Sequence, residues 1–429
     1  MKRQLARELE GKIGETVKIQ GWVHRIRNLG GIAFILLRDR SGVVQCVVDT
    51  KEIDIKGLKL ESVVEIIGRV KEESRVELGL EILVQELKVI SKVVEDLPIE
   101  INNEELKANL DTVLNHRVLS LRNLKTNAIF KVQAALAQGF AAFLKKEGFT
   151  QIFTPKIVAT GTEGGTELFQ VQYFDKKAYL AQSPQFYKQM LVGAGYERVF
   201  EIGHVYRAET HDTSRHTNEF ISLDLEMGFI EDERDVMALE TRMLKEIFAF
   251  IKEECARELD LLEVEVPEIG DEIPSIKFPE ALEILRQEYG KEDLKMDLDP
   301  EGERLIAKYV KERYGSEFVF ITHYPQAKRP MYTMPAEDGL THSFDLLFRG
   351  LEITTGGQRI HDYEQLKASI ISRGLSVESF SDYLEVFKFG MPPHGGLAIG
   401  LERLTGQLLG YKNIRQTTLF PRDRYRIRP

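Results

Sequence analysis

Residues 199–227, VFEIGHVYRAETHDTSRHTNEFISLDLEM, decide how the rest of the chain is read. From its ends inward the stretch is two strands joined by a charged loop. In the second half Ile221, Leu223, Leu225, Met227 and Phe229 alternate with Ser222, Asp224, Glu226 and Gly228, a period of two. In the first half Glu201, Arg207 and Glu209 share one parity, and Phe200, Ile202 and Tyr206 take the other. The intervening THDTSRHTN holds no aliphatic side chain. Two readings are open for it. One is a solvated hairpin. The other is a polyanion site, with Arg207, Arg215 and His216 among the carboxylates Glu209 and Glu219.

The setting narrows the class. A chain of 429 residues has room for two or three domains, and 43% hydrophobic with 29% charged residues describes a globular protein with a sizeable core. No run approaches the ~20 apolar residues of a membrane span. The start, MKRQLARELEGK, lacks the apolar core of a signal peptide. Cys46 and Cys255 are far apart with no CxxC, so they read as quiet core thiols, and the compartment expected is the cytoplasm. The net charge of −10 argues against indiscriminate nucleic-acid binding but not against a local basic groove; the last eight residues, RDRYRIRP, carry four arginines.

Taken in order, residues 1–12 read as a short helix. TVKIQGWVHRIRN, GIAFILLRDRSG, VVQCVVD, SVVEIIGRV and LGLEILVQELKVI then read as five short strands. Five strands in this length fit an OB-fold β-barrel, a scaffold that binds oligonucleotides on one face. Trp22, His24, Arg25, Arg27, Phe34 and Gln45 are candidates for that exposed face, although Trp22 and Phe34 taken alone read sooner as barrel core. The polar, acidic stretch 96–122 is a linker or hinge, dividing a domain at 1–95 from one at 123–429. From Leu124, Ile129, Val132, Leu136, Phe140 and Phe143 mark one face of a long helix that stops near Gly148. FTQIFTPKIV comes next as an edge strand containing Pro155. Residues 259–335 read as two helices and proline-bearing loops without legible chemistry. Strands return in FVFITHYP, HSFDLLFRGLEITTGG and GGLAIG, and LERLTGQLLGY closes the pattern as a helix. The whole is α+β: a barrel followed by an antiparallel sheet flanked by helices.

Absences matter as well. There is no GxxxxGK[ST] and no GxGxxG after a strand, so phosphates would meet arginines instead of a P-loop. The lack of HExxH and of paired CxxC argues against protein-ligated zinc. Arg403 stands in the first turn of a helix opened by Gly400, and Glu352, near Thr355, is a hard oxygen ligand of the kind Mg²⁺ takes beside phosphates.

A proline-containing strand after a long helix, then YRAE…RH..EF, then GLAIGLER resembles motifs 1, 2 and 3 of the class II aminoacyl-tRNA synthetases, here around 124–158, 199–229 and 395–411. The barrel places the resemblance in the aspartate, asparagine and lysine subgroup. GTEGGTELF, QSPQFYKQM, GGQR and LFPRDR are similar to the aspartate enzymes of the compact archaeal type. The resemblance covers essentially the whole chain and implies a homodimeric ligase that uses ATP, Mg²⁺, L-aspartate and tRNA(Asp). Its helix and Pro155 strand would form the dimer interface.

The resemblance also implies roles. Arg207, Glu352 and Arg403 would be catalytic. Arg207, Ala208, Glu209, Arg215, His216, Thr217, Phe220, Glu352, Gly400, Leu401, Glu402 and Arg403 would bind ATP, with Phe220 stacking on adenine. Glu352 and Thr355 would hold Mg²⁺. Glu163, Gln185, Phe186, Tyr187, Lys188, Arg207, Thr355 and Arg359 would bind aspartate. Lys188 and Arg359 supply the positive charge, although Lys188 in isolation reads as a helix-surface lysine. Asparagine would leave both cations without a counter-charge, at a cost on the order of 3–5 kcal/mol. His24, Phe34, Gln45 and Glu81 would read the anticodon. His24 stands where enzymes restricted to tRNA(Asp) carry a bulkier aromatic, which points to charging of tRNA(Asn) and hence to a transamidation partner; Glu77 departs from both patterns. The alternatives are an asparaginyl enzyme, against which Lys188 argues, and a non-catalytic nucleic-acid-binding paralogue, which would be expected to lose Arg207 or Arg403.

Overall fold

A computed structural model describes residues 1–162, 167–210 and 213–429. The chain divides into two compact units, Met1–Ala108 and Asn109–Pro429. The division falls inside the 96–122 stretch, whose later part forms the helices Leu110–Asn115 and Arg117–Ser120.

The first unit is the barrel. Thr16–Asn28 pairs with both Ile32–Arg38 and Val63–Glu72, Ile32–Arg38 with Val43–Asp49, and Leu80–Ser91 with Val43–Asp49 and Val63–Glu72, so the sheet closes. Alternate residues such as Val17, Ile19, Val44, Cys46, Ile66 and Ile82 fill the interior. The opening residues are not the helix expected of them. Arg3–Gln4 adds a parallel strand to Thr16–Asn28, and Ala6–Leu9 forms a single 3₁₀ turn that buries Ala6 and Leu9.

The second unit is built on an eight-stranded sheet. Its order is Ser275–Lys277, Phe318–Thr322, Ser343–Phe348, Leu351–Arg359, His394–Gly400, Glu219–Gly228, Arg198–Tyr206 and Thr150–Gln151, antiparallel except at its two outermost pairs. Helices Leu124–Lys146 and Glu233–Glu254 pack on one face through Val132, Leu136, Phe140, Met243 and Ile247. Asn123 and Asp232 cap their N-termini, accepting from Thr126 and Arg234 N–H.

Two expectations fail at strand ends. Pro155 is not within a strand: Thr150–Gln151 and Ile157–Val158 are separate short strands on either side of it, because proline has no N–H to give a ladder. The alternation in the second half of the hairpin stops at Gly228. Phe229 takes a positive φ of 59° and is exposed, so it does not join Leu223 and Leu225 in the core.

Candidate active site

The two hairpin strands pair in register from Arg198↔Met227 to Tyr206↔Glu219. Arg207 lies one residue past the strand, not on it, yet its N–H still donates to Asn218 C=O at 2.9 Å and prolongs the ladder. The period of two proves to be a division between two buried faces. Leu223 and Leu225 go to the helices, whereas Ser222, Asp224 and Glu226 are also buried, on the opposite face. Register carries this face across the sheet: Glu201 faces Asp224, Asp224 faces Ala398, Ala398 faces Thr355, and Thr355 faces Asp345.

Most of the expected nucleotide residues line one cleft on this face: Arg207, Glu209, Arg215, His216, Thr217, Phe220, Glu352, Thr355, Gly400, Glu402 and Arg403, with Ser222, Ile353, Ala398 and Ile414. The guanidinium of Arg207 sits over the Phe220 ring, 5.5 Å from its centroid. A register shift at Leu346/Leu347 explains how Glu352 and Thr355 come together. A residue inserted in a strand re-aims the side chains beyond it. Glu352 and Thr355 thereby meet, with Thr355 Oγ1 donating to Glu352 Oε1 at 3.0 Å, while Thr354 points the other way and donates to Glu240 at 2.6 Å. Arg403 Nη1 reaches Glu352 C=O at 3.2 Å and its Oε1 at 3.5 Å.

Not every residue of the expected set is in the cleft. Leu401 is in the apolar core on the helix side, and Ala208 is occupied by a backbone bond from its N–H to Glu167 C=O at 2.7 Å. Arg215 lines the cleft but is held by Glu303, a carboxylate that burial pushes up to about 7. Glu402 turns both oxygens to the Ile221 N–H at 3.1 Å and is likewise raised by burial to about 7; it braces the hairpin. Residues 259–335, expected to lack chemistry, supply Glu303 and also Arg329, whose Nη2 donates to buried Asp345 at 2.8 Å. Burial raises the Asp345 carboxyl, Arg329 opposes this, and the nearby charge of Glu352 adds to it. The basic tail closes the arrangement: Arg422 C=O accepts from Asn218 N–H at 2.7 Å, and Arg424 Nη1 donates to Thr210 C=O at 3.2 Å.

Beside the cleft is a buried ionic network. Lys188, in helix Gln185–Leu191, is fully buried, which excludes a surface lysine. Its Nζ lies 2.9 Å from Asp224 Oδ1 and 3.5 Å from Glu226 Oε2, and donates to Leu225 and Leu397 C=O at 3.2 Å. Arg359 Nε donates to Glu226 Oε1 at 3.0 Å, and Gln185 Nε2 to Glu226 Oε2 at 3.1 Å. Burial would raise Glu226; Arg359 and Lys188 more than offset that and hold it below the ordinary carboxylate value. The expectation of two cations awaiting a counter-charge is therefore corrected, since Asp224 and Glu226 already neutralise them. The 3–5 kcal/mol scale applies to deleting one partner, not to discriminating asparagine.

Asp224 and Glu226 were missed because alternation with leucines looks the same for a solvated face and for a second buried face. Gly396 was missed for a related reason. A Cβ there would stand 2.2 Å from both Glu226 Oε2 and Leu225 C=O, so only glycine lets the network reach the strand.

Two residues expected to bind aspartate point elsewhere. Phe186 stacks on Tyr383 at 4.3 Å within a separate apolar cluster, and Tyr187 is half-buried, its hydroxyl pKa raised by burial and then by the charge of Asp382. Glu163 lies outside the described residues.

In the barrel, Phe34 is half-buried opposite Arg27, and Gln45 Nε2 donates to Glu81 at 2.9 Å. Glu81 is buried and also receives Lys71 Nζ at 3.1 Å. His24 is not on the exposed face expected of it. A register shift between Val23 and Arg25 tucks it in, with Nδ1 3.2 Å from Arg38 and 3.1 Å from Asn102. Burial and Arg38 lower its pKa to about 4, against the pull of Glu61. Cys46 and Cys255 are buried free thiols, raised by burial. Among the described residues no helix is long and apolar enough to cross a membrane.

Comparison with known proteins fits this architecture. Residues 109–424 match the profile of tRNA synthetases class II (D, K and N), and residues 17–90 that of the OB-fold nucleic acid binding domain. The chain is 51% identical over 430 residues to an aspartate–tRNA(Asp/Asn) ligase of Thermus thermophilus, covering 100% of both. It is 45% identical over 435 residues to an aspartate–tRNA(Asp) ligase of Pyrococcus abyssi, covering 99% of this chain and 98% of that one. The crystal structure of asparaginyl-tRNA synthetase from Pyrococcus horikoshii complexed with asparaginyl-adenylate superposes with a TM-score of 0.91 at 30% identity over 100% of both chains.

Proposed function

Because the chain belongs to the class II tRNA synthetases of the aspartate, lysine and asparagine group, we propose that it activates L-aspartate with ATP and transfers it to the 3′ end of tRNA(Asp) and of tRNA(Asn). One observation carries this reading: Arg207, Glu352 and Arg403, from three separate segments, converge on one cleft beside the Lys188–Arg359 network. The fold is shared with an asparaginyl enzyme, so it does not choose the amino acid. The relatives of higher identity, named for aspartate, favour aspartate.

Activation needs no general base, because the carboxylate of the substrate is itself the nucleophile. On this reading Arg207 meets the α-phosphate and the reacting carboxyl, and Arg403 the outer phosphates, so the rate gain comes from orientation and fixed charge. A bound side-chain carboxylate would join Lys188 and Arg359 in this network and share them with Asp224 and Glu226. Residues fit Mg²⁺: the Glu352 carboxylate, with the Thr355 hydroxyl at its side and the Asp345 carboxyl nearby, offers the hard oxygen donors this ion takes. When bound, Mg²⁺ would neutralise phosphate charge. Phe34, Gln45 and Glu81 are the barrel residues proposed to meet the anticodon; His24 would act on it through Arg38 and Asn102. Dimerisation through the motif 1 region is supported by the exposure of Phe153 and Ile157 on either side of Pro155.

The test is pyrophosphate exchange with aspartate and asparagine in parallel, followed by charging of purified tRNA(Asp) and tRNA(Asn). Exchange should depend on aspartate, and both tRNAs should be charged. Preference for asparagine would sink the assignment, and charging of tRNA(Asp) only would remove the second substrate and the transamidation partner it implies.

A further inference from the structure

Away from the cleft, three residues distant in sequence converge at the start of helix Glu233–Glu254. Glu233 lies in its first turn, His323 directly after strand Phe318–Thr322, and His342 directly before strand Ser343–Phe348. One donor atom from each lies within 4.8 Å of the others. His342 Nδ1 is 2.7 Å from Glu233 Oε2, and His323 Nε2 is 3.8 Å from Glu233 Oε1. None of the three lines the reaction cleft.

We propose that Glu233, His323 and His342 form a binding site for a divalent transition-metal ion, Zn²⁺ by preference. Two imidazoles and one carboxylate are a zinc donor set, and the remaining position is left for water. Ligand atoms at ~2.0–2.1 Å from a tetrahedral ion stand roughly 3.4 Å apart. The separations from His342 and His323 to the two Glu233 oxygens, 2.7 and 3.8 Å, fall on either side of that figure, so the three groups already stand near ligating distance. The His323 ring is already oriented: Thr322 Oγ1 lies 3.0 Å from its Nδ1, which leaves Nε2 to face Glu233. Glu233 is buried, whereas both imidazoles are partly exposed, so an ion has a way in.

The hard-cation alternative is disfavoured, because Mg²⁺ takes oxygen ligands and water, and two of these three donors are nitrogen. The ion would tie a helix start to two strand ends. One of these backs the amino-acid network, since His342 C=O accepts from Gln358 N–H, next to Arg359, at 2.9 Å.

The test uses the untagged full chain, stripped with a chelator and dialysed against excess Mg²⁺ so that the cleft does not compete. Zn²⁺ uptake should reach about one ion per chain. Co²⁺ should develop the intense visible bands of a tetrahedral nitrogen–oxygen site, and His323→Ala with His342→Ala should weaken uptake by on the order of 100-fold. Zn²⁺ should also protect His323 and His342 of the unaltered protein from diethyl pyrocarbonate, mapped peptide by peptide; this does not depend on the variant folding. Absence of protection, or uptake unchanged in the double variant, overturns the proposal.

Discussion

Arg207 and Lys188 are both cations, yet their surroundings predict different consequences of removal. Arg207 lines an open cleft and stacks over Phe220, so Arg207→Ala should abolish aspartate-dependent pyrophosphate exchange while tRNA affinity, measured by filter binding, stays within about threefold; the interactions lost are those made in the transition state. Normal exchange in this variant would mean that the site has been misplaced. Lys188 is fully buried between Asp224 and Glu226. Lys188→Met leaves the buried Asp224 carboxylate without its cation, while Glu226 keeps Arg359, and should lower unfolding free energy by about 3–5 kcal/mol in urea titrations, as well as impair aspartate use. A loss below about 1 kcal/mol, typical of a surface pair, would refute the network as drawn.

At the scale of elements, the Leu346/Leu347 register shift and the helix Glu233–Glu254 act together. The shift sends Glu352 and Thr355 to the cleft and Thr354 to the helix, where it meets Glu240. Burial raises Glu240 to about 8, against the Thr354 hydrogen bond, so the folded protein keeps this carboxyl protonated at neutral pH. The folded pKa lies above the unfolded one. Its contribution to stability is therefore complete below about pH 4.5 and is lost as pH rises towards 8. Glu240→Gln should leave melting temperature near the parent's at pH 4.5 and raise it at pH 8, by the equivalent of on the order of 2–4 kcal/mol. An equal offset at both pH values would show that Glu240 does not titrate across this range.

For the whole molecule, the two units carry separate apolar cores: one within the barrel, the others entirely after residue 109. A polypeptide of residues 109–429 should therefore fold and retain aspartate-dependent exchange, since every described residue of the cleft lies within it. Its charging of tRNA should fall by at least tenfold in kcat/KM, because the proposed anticodon contacts all lie in the barrel. Undiminished charging would remove the barrel from tRNA selection.

The sequence by itself determined the barrel, the long helices, most of the element order, and most of the residues that line the cleft, because period-two and period-3.6 burial and the family motifs are local signals. It could not show that the polar side of Glu219–Gly228 is a second buried face, that Lys188 and Arg359 are already neutralised, or that His24 is tucked beside Arg38. Nor could it bring Glu303, Asp345 or the Glu233–His323–His342 group into view. Those are decided by strand register, by register shifts, and by packing between segments distant in the chain, such as 188 and 224 or 233 and 323. A single-residue shift in a strand sends a side chain to the opposite face, and long-range charge pairing leaves no spacing in the chain.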